Sequence, residues 1–413
     1  MNLPYPPGPL NQLNQLARII EEKKSTQDQP ICAYLYDLEG LSRHAEEVTC
    51  ALPPSCRLFY AMKANSDPEI LKTLSGRVHG FEVASLGEVM KARAASERTP
   101  VIFGGPGKTD EEIRGAIEQR VTLLHVESMH ELKRVEHIAA AMNRTVPILL
   151  RINLSGPFPQ ATLAMAGTPT QFGIDESLVG EAIHLALSCP HISLEGFHLH
   201  SLSNQLDWRS HLALLAYYFD KVDGWSGQYD INISTINVGG GIGINYADIG
   251  SQFGWSEFAD GLSRLISERN KEGTSILFEC GRFLTAACGY YAAEVIDIKK
   301  NHGKHFVIVR GGTHHFRLPV SWQHNHPFAV VPLDIWNYPF ERKEIKDSDV
   351  TIVGQLCTPK DAFARDVPID RIRIGDVVLF LYAGAYGWAI SHHDFLSHPH
   401  PEHMYLTNTS VLT

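Results

Sequence analysis

The chain has 413 residues, 44% of them hydrophobic and 20% charged, with a net charge of −10 when histidine is neutral. This length and composition exclude a disordered chain and leave room for two domains with substantial cores. An acidic chain gains no counterion-release energy on DNA or RNA, so nucleic acid is not an expected partner; a small anionic substrate is not excluded, because a basic pocket can sit in an acidic protein.

In chain order, residues 1–30 predict a proline-containing entry and a polar helix over 10–24. The run ICAYLYD (31–37) reads as a strand, followed by helical spacing over 41–52. Strand and helix then alternate: RLFYAM (57–62) and PEILKTL (68–74), GFEVA (80–84) and GEVMKARAA (87–95), PVIFGG (100–105) and a Thr-capped helix at 109–119. LLHVE (123–127), PILLRINL (147–154) and LEGFHLHS (194–201) continue the strands, with helices at 129–142, at 178–188 and on to about 222. TINVGGGIG (235–243) ends a strand in glycines. Repeated strand–helix units predict parallel strands joined by helices, and about eight of them point to a (β/α)8 barrel with its functional groups at the C-terminal strand ends. Beyond about 270 the pattern changes to short strands and turns, which predicts a second, β-rich domain. The expected organisation is an N-terminal segment (1–30) packing with the C-terminal domain, a barrel (31–270) and a β-rich domain (271–413).

The seven cysteines, at 32, 50, 56, 189, 280, 288 and 357, form no CxxC pair, which argues against a zinc knuckle or thioredoxin motif and fits a reducing compartment. The N-terminus lacks the apolar run of a signal peptide, and no stretch approaches the roughly 18 to 20 apolar residues of a membrane span. A cytoplasmic location is expected.

The strand ends collect a distinctive set. Lys63 follows RLFYAM, Glu82 lies in GFEVA, Arg151 in PILLRINL, His198 and His200 end LEGFHLH, Gly239, Gly240 and Gly241 end the next strand, and Glu279 and Arg282 follow SILFE. A desolvated lysine is a nucleophile that forms an imine with an aldehyde cofactor. Glycines let backbone N–H groups approach a phosphate. A carboxylate such as Glu279 can pair with a pyridinium nitrogen and keep the ring an electron sink. Taken singly, each has a plainer reading: a solvated lysine, a tight turn, a structural salt bridge between Glu279 and Arg282.

Together the blocks YAMKAN (60–65), FEVAS (81–85), HLHSLS (198–203), VGGGIG (238–243), ECGR (279–282), GQLCTPKD (354–361) and AGAYG (383–387) resemble, in order and over nearly the whole chain, the fold-type III pyridoxal phosphate (PLP) decarboxylases, the group of ornithine, arginine and diaminopimelate decarboxylases. The resemblance implies a PLP-binding barrel with a C-terminal β-rich domain, and a homodimer with shared active sites. It implies that Lys63 holds the cofactor as a Schiff base, that His200 stacks on its ring with His198 as the rival, and that Ser203, Gly239, Gly240, Gly241, Gly281, Arg282 and Tyr386 hold its phosphate end. Glu279 would pair with the ring nitrogen, with Glu82 and Arg151 beside the cofactor. Cys357 would enter from the partner subunit as the proton donor, accompanied by Asp361. Two departures stand out: Cys280 replaces a proline, and the usual HIGS reads HSLS at 200–203.

Further blocks at 103–112, 153–174, 310–328 and 389–406 resemble the decarboxylases of carboxylate-siderophore biosynthesis of the staphyloferrin B type. That resemblance implies decarboxylation of citryl-L-2,3-diaminopropionate to citryl-ethylenediamine. Thr358 stands where ornithine decarboxylases carry an acidic residue for a distal amine. Arg282, Arg317, Asp361 and Tyr386 are the expected substrate contacts, and His315, His324 and His326 either add donors near Arg317 or pack in a loop. The histidines at 392, 393, 398, 400 and 403 lack the framing of a metal site, so no metal is expected. Rival readings are a diaminopimelate or carboxynorspermidine decarboxylase and, in another class, a non-catalytic PLP-binding protein; the latter type lacks a second domain.

Overall fold

The computed structural model describes residues 13–156, 158, 163–164, 169–271, 273–407 and 411–412. Residues 10–12 of the first predicted helix and part of the 153–174 block lie outside the described residues. The chain divides into two compact units. One comprises Ser42–Ile244 and Phe253–Leu284, the other Met1–Leu41, Asn245–Gln252 and Thr285–Thr413.

Strands of three residues or more are numbered in chain order. The first unit is a closed barrel of eight parallel strands: β2 (Cys56–Ala61), β3 (Gly80–Val83), β4 (Val101–Phe103), β5 (Leu123–Val126), β6 (Val146–Asn153), β7 (Ile192–His198), β8 (Thr235–Asn237) and β9 (Ser275–Cys280). Their order is β2-β3-β4-β5-β6-β7-β8-β9, and β9 pairs back on β2. Helices follow most strands and are started by side chains at the strand exits. Asp67, with Pro68 behind it, caps Pro68–Leu74; Ser85 caps Leu86–Ala95; Ser128 caps Met129–Ala141. Thr109 and Glu112 form a reciprocal capping box on Asp110–Glu118.

Strand register explains where the chemistry lies. Phe59, Ile102, Leu123, Leu149 and Leu277, from five different strands, form one buried apolar cluster. One pleat period further along the same strands come His125, Arg151 and Glu279. The barrel interior is thus apolar at one level and polar at the next, at the C-terminal ends of the strands.

The second unit is a mixed sheet. Its β1 (Cys32–Asp37) pairs antiparallel with β10 (Gly289–Asn301) and parallel with β16 (Glu402–Leu406). On β10 also lie β11 (Lys304–Val309) and β15 (Val377–Phe380), which carries β12 (Phe328–Val331); β13 (Glu344–Val353) and β14 (Ala362–Arg373) extend the other edge. Two expected boundaries move. The strand at 31–37 belongs to this sheet and not to the barrel, because Ala33 through Tyr36 bond to β10 and β16. The barrel also runs past 270, since β9 is its eighth strand. Among the described residues no helix is long and apolar enough to cross a membrane.

Candidate active site

Lys63 sits in a one-turn 3-10 helix, Met62–Ala64, directly after β2. Its Nζ lies 3.4 Å from Oε2 of the buried Glu82 on β3, while its own side chain is half exposed. Burial is the largest influence on Glu82 and raises its pKa to about 7; Lys63 acts against it and Glu279 with it. Gly281 packs on this turn, because a Cβ there would stand 3.0 Å from the Ala64 Cβ and 3.2 Å from the Ala61 carbonyl. Arg282, also buried, opens the short helix Arg282–Thr285.

Glu279, at the end of β9, is buried among nitrogen groups. Its Oε1 accepts from Asn237 Nδ2 at 2.7 Å, and its Oε2 faces His198 Nε2 at 3.5 Å. Burial alone would raise this carboxyl, but His198 first, and Lys63, outweigh it and hold Glu279 well below the usual carboxylate range. His125 is also pushed down: burial, then His198, lower its pKa far below the ordinary histidine value, so its ring is neutral while Glu279 is ionised. His125, His198 and Glu279 bring ligand-type atoms within 4.8 Å of one another, the one such group among the described residues. Asn237 directs N–H groups at Glu279 Oε1 and at His125 Nε2.

His200 borders the glycine loop. Its Nδ1 accepts from Gly240 N at 3.3 Å, and burial, then Lys63, depress its pKa far below the ordinary histidine value. The three glycines are required by close approach. A Cβ at Gly239 (φ +69°) would meet the His200 Nδ1 at 2.4 Å, one at Gly240 the Glu279 carbonyl at 2.1 Å, and one at Gly241 (φ +89°) the Leu202 carbonyl at 2.6 Å. Ser203 is half-buried in the short strand Leu202–Ser203. Arg151, on β6, donates to Glu127 Oε1 at 2.8 Å and stacks over Phe172 at 4.8 Å. Glu127 also accepts from Gly105 N and Gly173 N, at 2.9 and 3.0 Å. Burial pushes Glu127 up, but Arg151 and Lys108 outweigh it.

The remaining predicted residues, Cys357, Asp361, Arg317 and Tyr386, belong to the sheet unit. Cys357 is exposed on the loop between β13 and β14. Buried Asp361 pins that loop: Oδ1 accepts from Thr313 N at 2.7 Å and Oδ2 from Leu356 N at 2.8 Å. Both carboxylate oxygens therefore serve the backbone. Gly312 and Gly354 lie against the same carboxylate, where a Cβ would come within 2.8 and 2.3 Å of Asp361 Oδ2. Arg317 is exposed and its amide donates to Ser391 Oγ at 3.0 Å. Tyr386 is half-buried with φ +52°. His324 and His326 pack together with Tyr246, and His326 Nε2 meets the Leu381 carbonyl at 2.6 Å; His315 is buried against Tyr291 and Cys32. Packing is the better description of these three.

The sequence reading missed Asn237, His125 and Glu127. The signal was available for two of them: His125 and Glu127 alternate in LLHVE, so one face of a barrel strand carries both.

Comparison with known proteins decides the family. Residues 38–286 match the family described as pyridoxal-dependent decarboxylase, pyridoxal binding domain. The chain belongs to the pyridoxal-dependent decarboxylases. Among similar pyridoxal-dependent decarboxylases is the 2-[(L-alanin-3-ylcarbamoyl)methyl]-2-hydroxybutanedioate decarboxylase of Staphylococcus aureus, 55% identical over 95% of this chain and 98% of that one. The L-glutamyl-[BtrI acyl-carrier protein] decarboxylase of Niallia circulans is 31% identical over 89% and 87% of the two chains. The diaminopimelate decarboxylase of Helicobacter pylori, solved with L-lysine, is 26% identical with a TM-score of 0.81 over 95% of each chain. As a member of this family the chain is a PLP-dependent carboxy-lyase. The barrel mouth fits that cofactor: it offers an amine at Lys63, an ionised carboxylate at Glu279, and a glycine loop that no larger residue could replace.

Proposed function

We propose that this chain decarboxylates citryl-L-2,3-diaminopropionate to citryl-ethylenediamine, a step in carboxylate-siderophore biosynthesis of the staphyloferrin B type. The observation that carries this reading is the 55% identity, over 95% of the chain, to the S. aureus decarboxylase, whose name describes that citric acid amide. The seven free cysteines accord with a cytoplasmic setting.

In this reading Lys63 would hold the cofactor as an imine, its Nζ replacing the aldehyde oxygen, which leaves as water. Glu279 would serve the ring nitrogen, Gly239, Gly240 and Gly241 with Ser203, Gly281, Arg282 and Tyr386 would hold the phosphate, and Glu82 and Arg151 would line the site. Bound PLP supplies an electron sink for the pair left behind when the carboxylate departs. His200 is favoured over His198 for the ring face, because it lies partly buried beside Gly239 and Lys63 while His198 is fully buried against Glu279. Glu279, kept ionised, holds positive charge at the ring nitrogen. Glu82, with its raised pKa beside Lys63, takes up or returns a proton at Nζ.

As the carboxylate departs as carbon dioxide, Cys357 Sγ would give its proton to the α-carbon and regain one from solvent before the next turnover. Cys357 comes from a second copy of the chain, so the working enzyme is a homodimer with two shared sites. Arg317, exposed near Ser391, meets the citryl carboxylates. The test is mass-spectrometric: purified protein with PLP and citryl-L-2,3-diaminopropionate should yield citryl-ethylenediamine and one carbon dioxide per turnover. Unchanged substrate would overturn the reading.

A further inference from the structure

Asn237 is fully buried at the end of β8, two residues before the glycine loop, and its amide is engaged at both ends. Oδ1 accepts from Gly239 N at 2.9 Å; Nδ2 donates to Glu279 Oε1 at 2.7 Å and reaches His125 Nε2 at 3.2 Å. The Gly239 N–H can only donate, so it fixes which end of the amide is oxygen. Both Nδ2 protons are then committed, and His125 must accept at Nε2. Its ring is the neutral tautomer with the proton on Nδ1, which lies 3.8 Å from Glu279 Oε1. The other charged or titratable groups around this cluster are Lys63, Glu82, Lys108, Arg151, His198, His200 and Cys280.

No other side chain of this size meets these demands. Aspartate would set a second anion 2.7 Å from Glu279, and leucine would leave the Gly239 amide, Glu279 and His125 each short of a partner. A single side chain thus fixes the spacing between the glycine loop and the Glu279 carboxylate. We propose that Asn237 is a positioning residue that couples the phosphate end of the cofactor site to its ring-nitrogen end, and that it sets the His125 tautomer beside Glu279. This rests on the reading that the barrel mouth takes PLP.

The test is titration of PLP into the apo forms of wild type, Asn237→Asp, Asn237→Ala, Glu279→Ala and the Asn237→Ala/Glu279→Ala double variant. Bound-cofactor absorbance and tryptophan fluorescence are followed from about pH 6 to about pH 9, a span that covers a carboxyl pair with a raised pKa. Asn237→Asp should bind nearly as wild type at the acidic end, where a shared proton restores one donor, and weaken roughly tenfold or more relative to wild type as the pair ionises. Asn237→Ala should be weaker at every pH, and its effect should be non-additive with that of Glu279→Ala. If Asn237→Ala does not fold, the Asn237→Asp profile decides alone. A pH-independent loss in Asn237→Asp, or wild-type affinity throughout, overturns the inference, as does additivity in the double variant. Wild-type protein that binds no PLP would instead contradict the proposed function itself.

Discussion

The barrel mouth and the Cys357 loop each offer a reactive group just past a strand end, but they are built in opposite ways. At the mouth, Glu82, His125, His198 and Glu279 are buried side chains that act on one another; the pKa of Glu82 is pushed up and those of His125 and Glu279 down. At the loop, the one buried carboxylate, Asp361, is engaged by the backbone amides of Thr313 and Leu356, and Cys357 is left exposed. The first arrangement fixes charge around a resident cofactor. The second fixes a backbone and leaves a thiol exposed. A low-dielectric cluster suits an electron sink.

The largest effect should come from removing the amine of the mouth. Lys63→Ala is expected to lose the roughly 420 nm absorbance of covalently bound PLP and to lower kcat by on the order of 10⁴-fold. Retention of both would show that the cofactor is held elsewhere.

Cys357→Ala should have a smaller effect, slowing turnover by about 10²-fold and diverting product toward transamination, read by chromatography of the products. Mixing the two impaired proteins separates the subunits' contributions. If loop and mouth come from different subunits, Lys63→Ala plus Cys357→Ala should recover up to about a quarter of wild-type activity, since half of randomly mixed dimers carry one intact site. No recovery after subunit exchange would place loop and mouth on the same subunit.

The loop itself is tested by Asp361→Asn. An amide turns an N–H group toward a backbone donor, so this change should destabilise the sheet unit by about 1–3 kcal/mol in urea unfolding and lower activity less than Cys357→Ala does. An unaltered unfolding curve would mean that Asp361 does not pin the loop.

The smallest effect concerns pH. Glu82 has a folded pKa of about 7, above its ordinary value of 4.5, so the folded protein binds more protons between those values. Its contribution to stability is present below about pH 4.5 and is lost as pH rises through about 7. Glu82→Gln should therefore flatten the fall in apoprotein melting temperature over that window. A slope identical to wild type would contradict the buried, raised carboxyl.

Much of the barrel was legible in the sequence because each strand–helix unit is local: the pleat period and the capping residues Asp67, Ser85, Thr109 and Ser128 mark it within a dozen residues. The sheet to which the strand at 31–37 belongs is not legible locally, because its partners, Gly289–Ala293 and Glu402–Leu406, are distant in sequence and an apolar strand reads alike in either sheet. Lys63, Glu82, Glu279 and the glycines could be named from motifs at strand ends. Asn237 could not, since its role depends on Glu279 and His125, which reach it only when the barrel closes.

The measurement that bears most directly on the central claim is the ratio of kcat/KM for citryl-L-2,3-diaminopropionate to that for diaminopimelate, read by carbon dioxide release from the purified, PLP-loaded protein. The account predicts a preference for the citryl substrate of at least about 100-fold, as expected of a site that pairs the citryl carboxylates. Equal turnover of the two, or a preference for diaminopimelate, would contradict it.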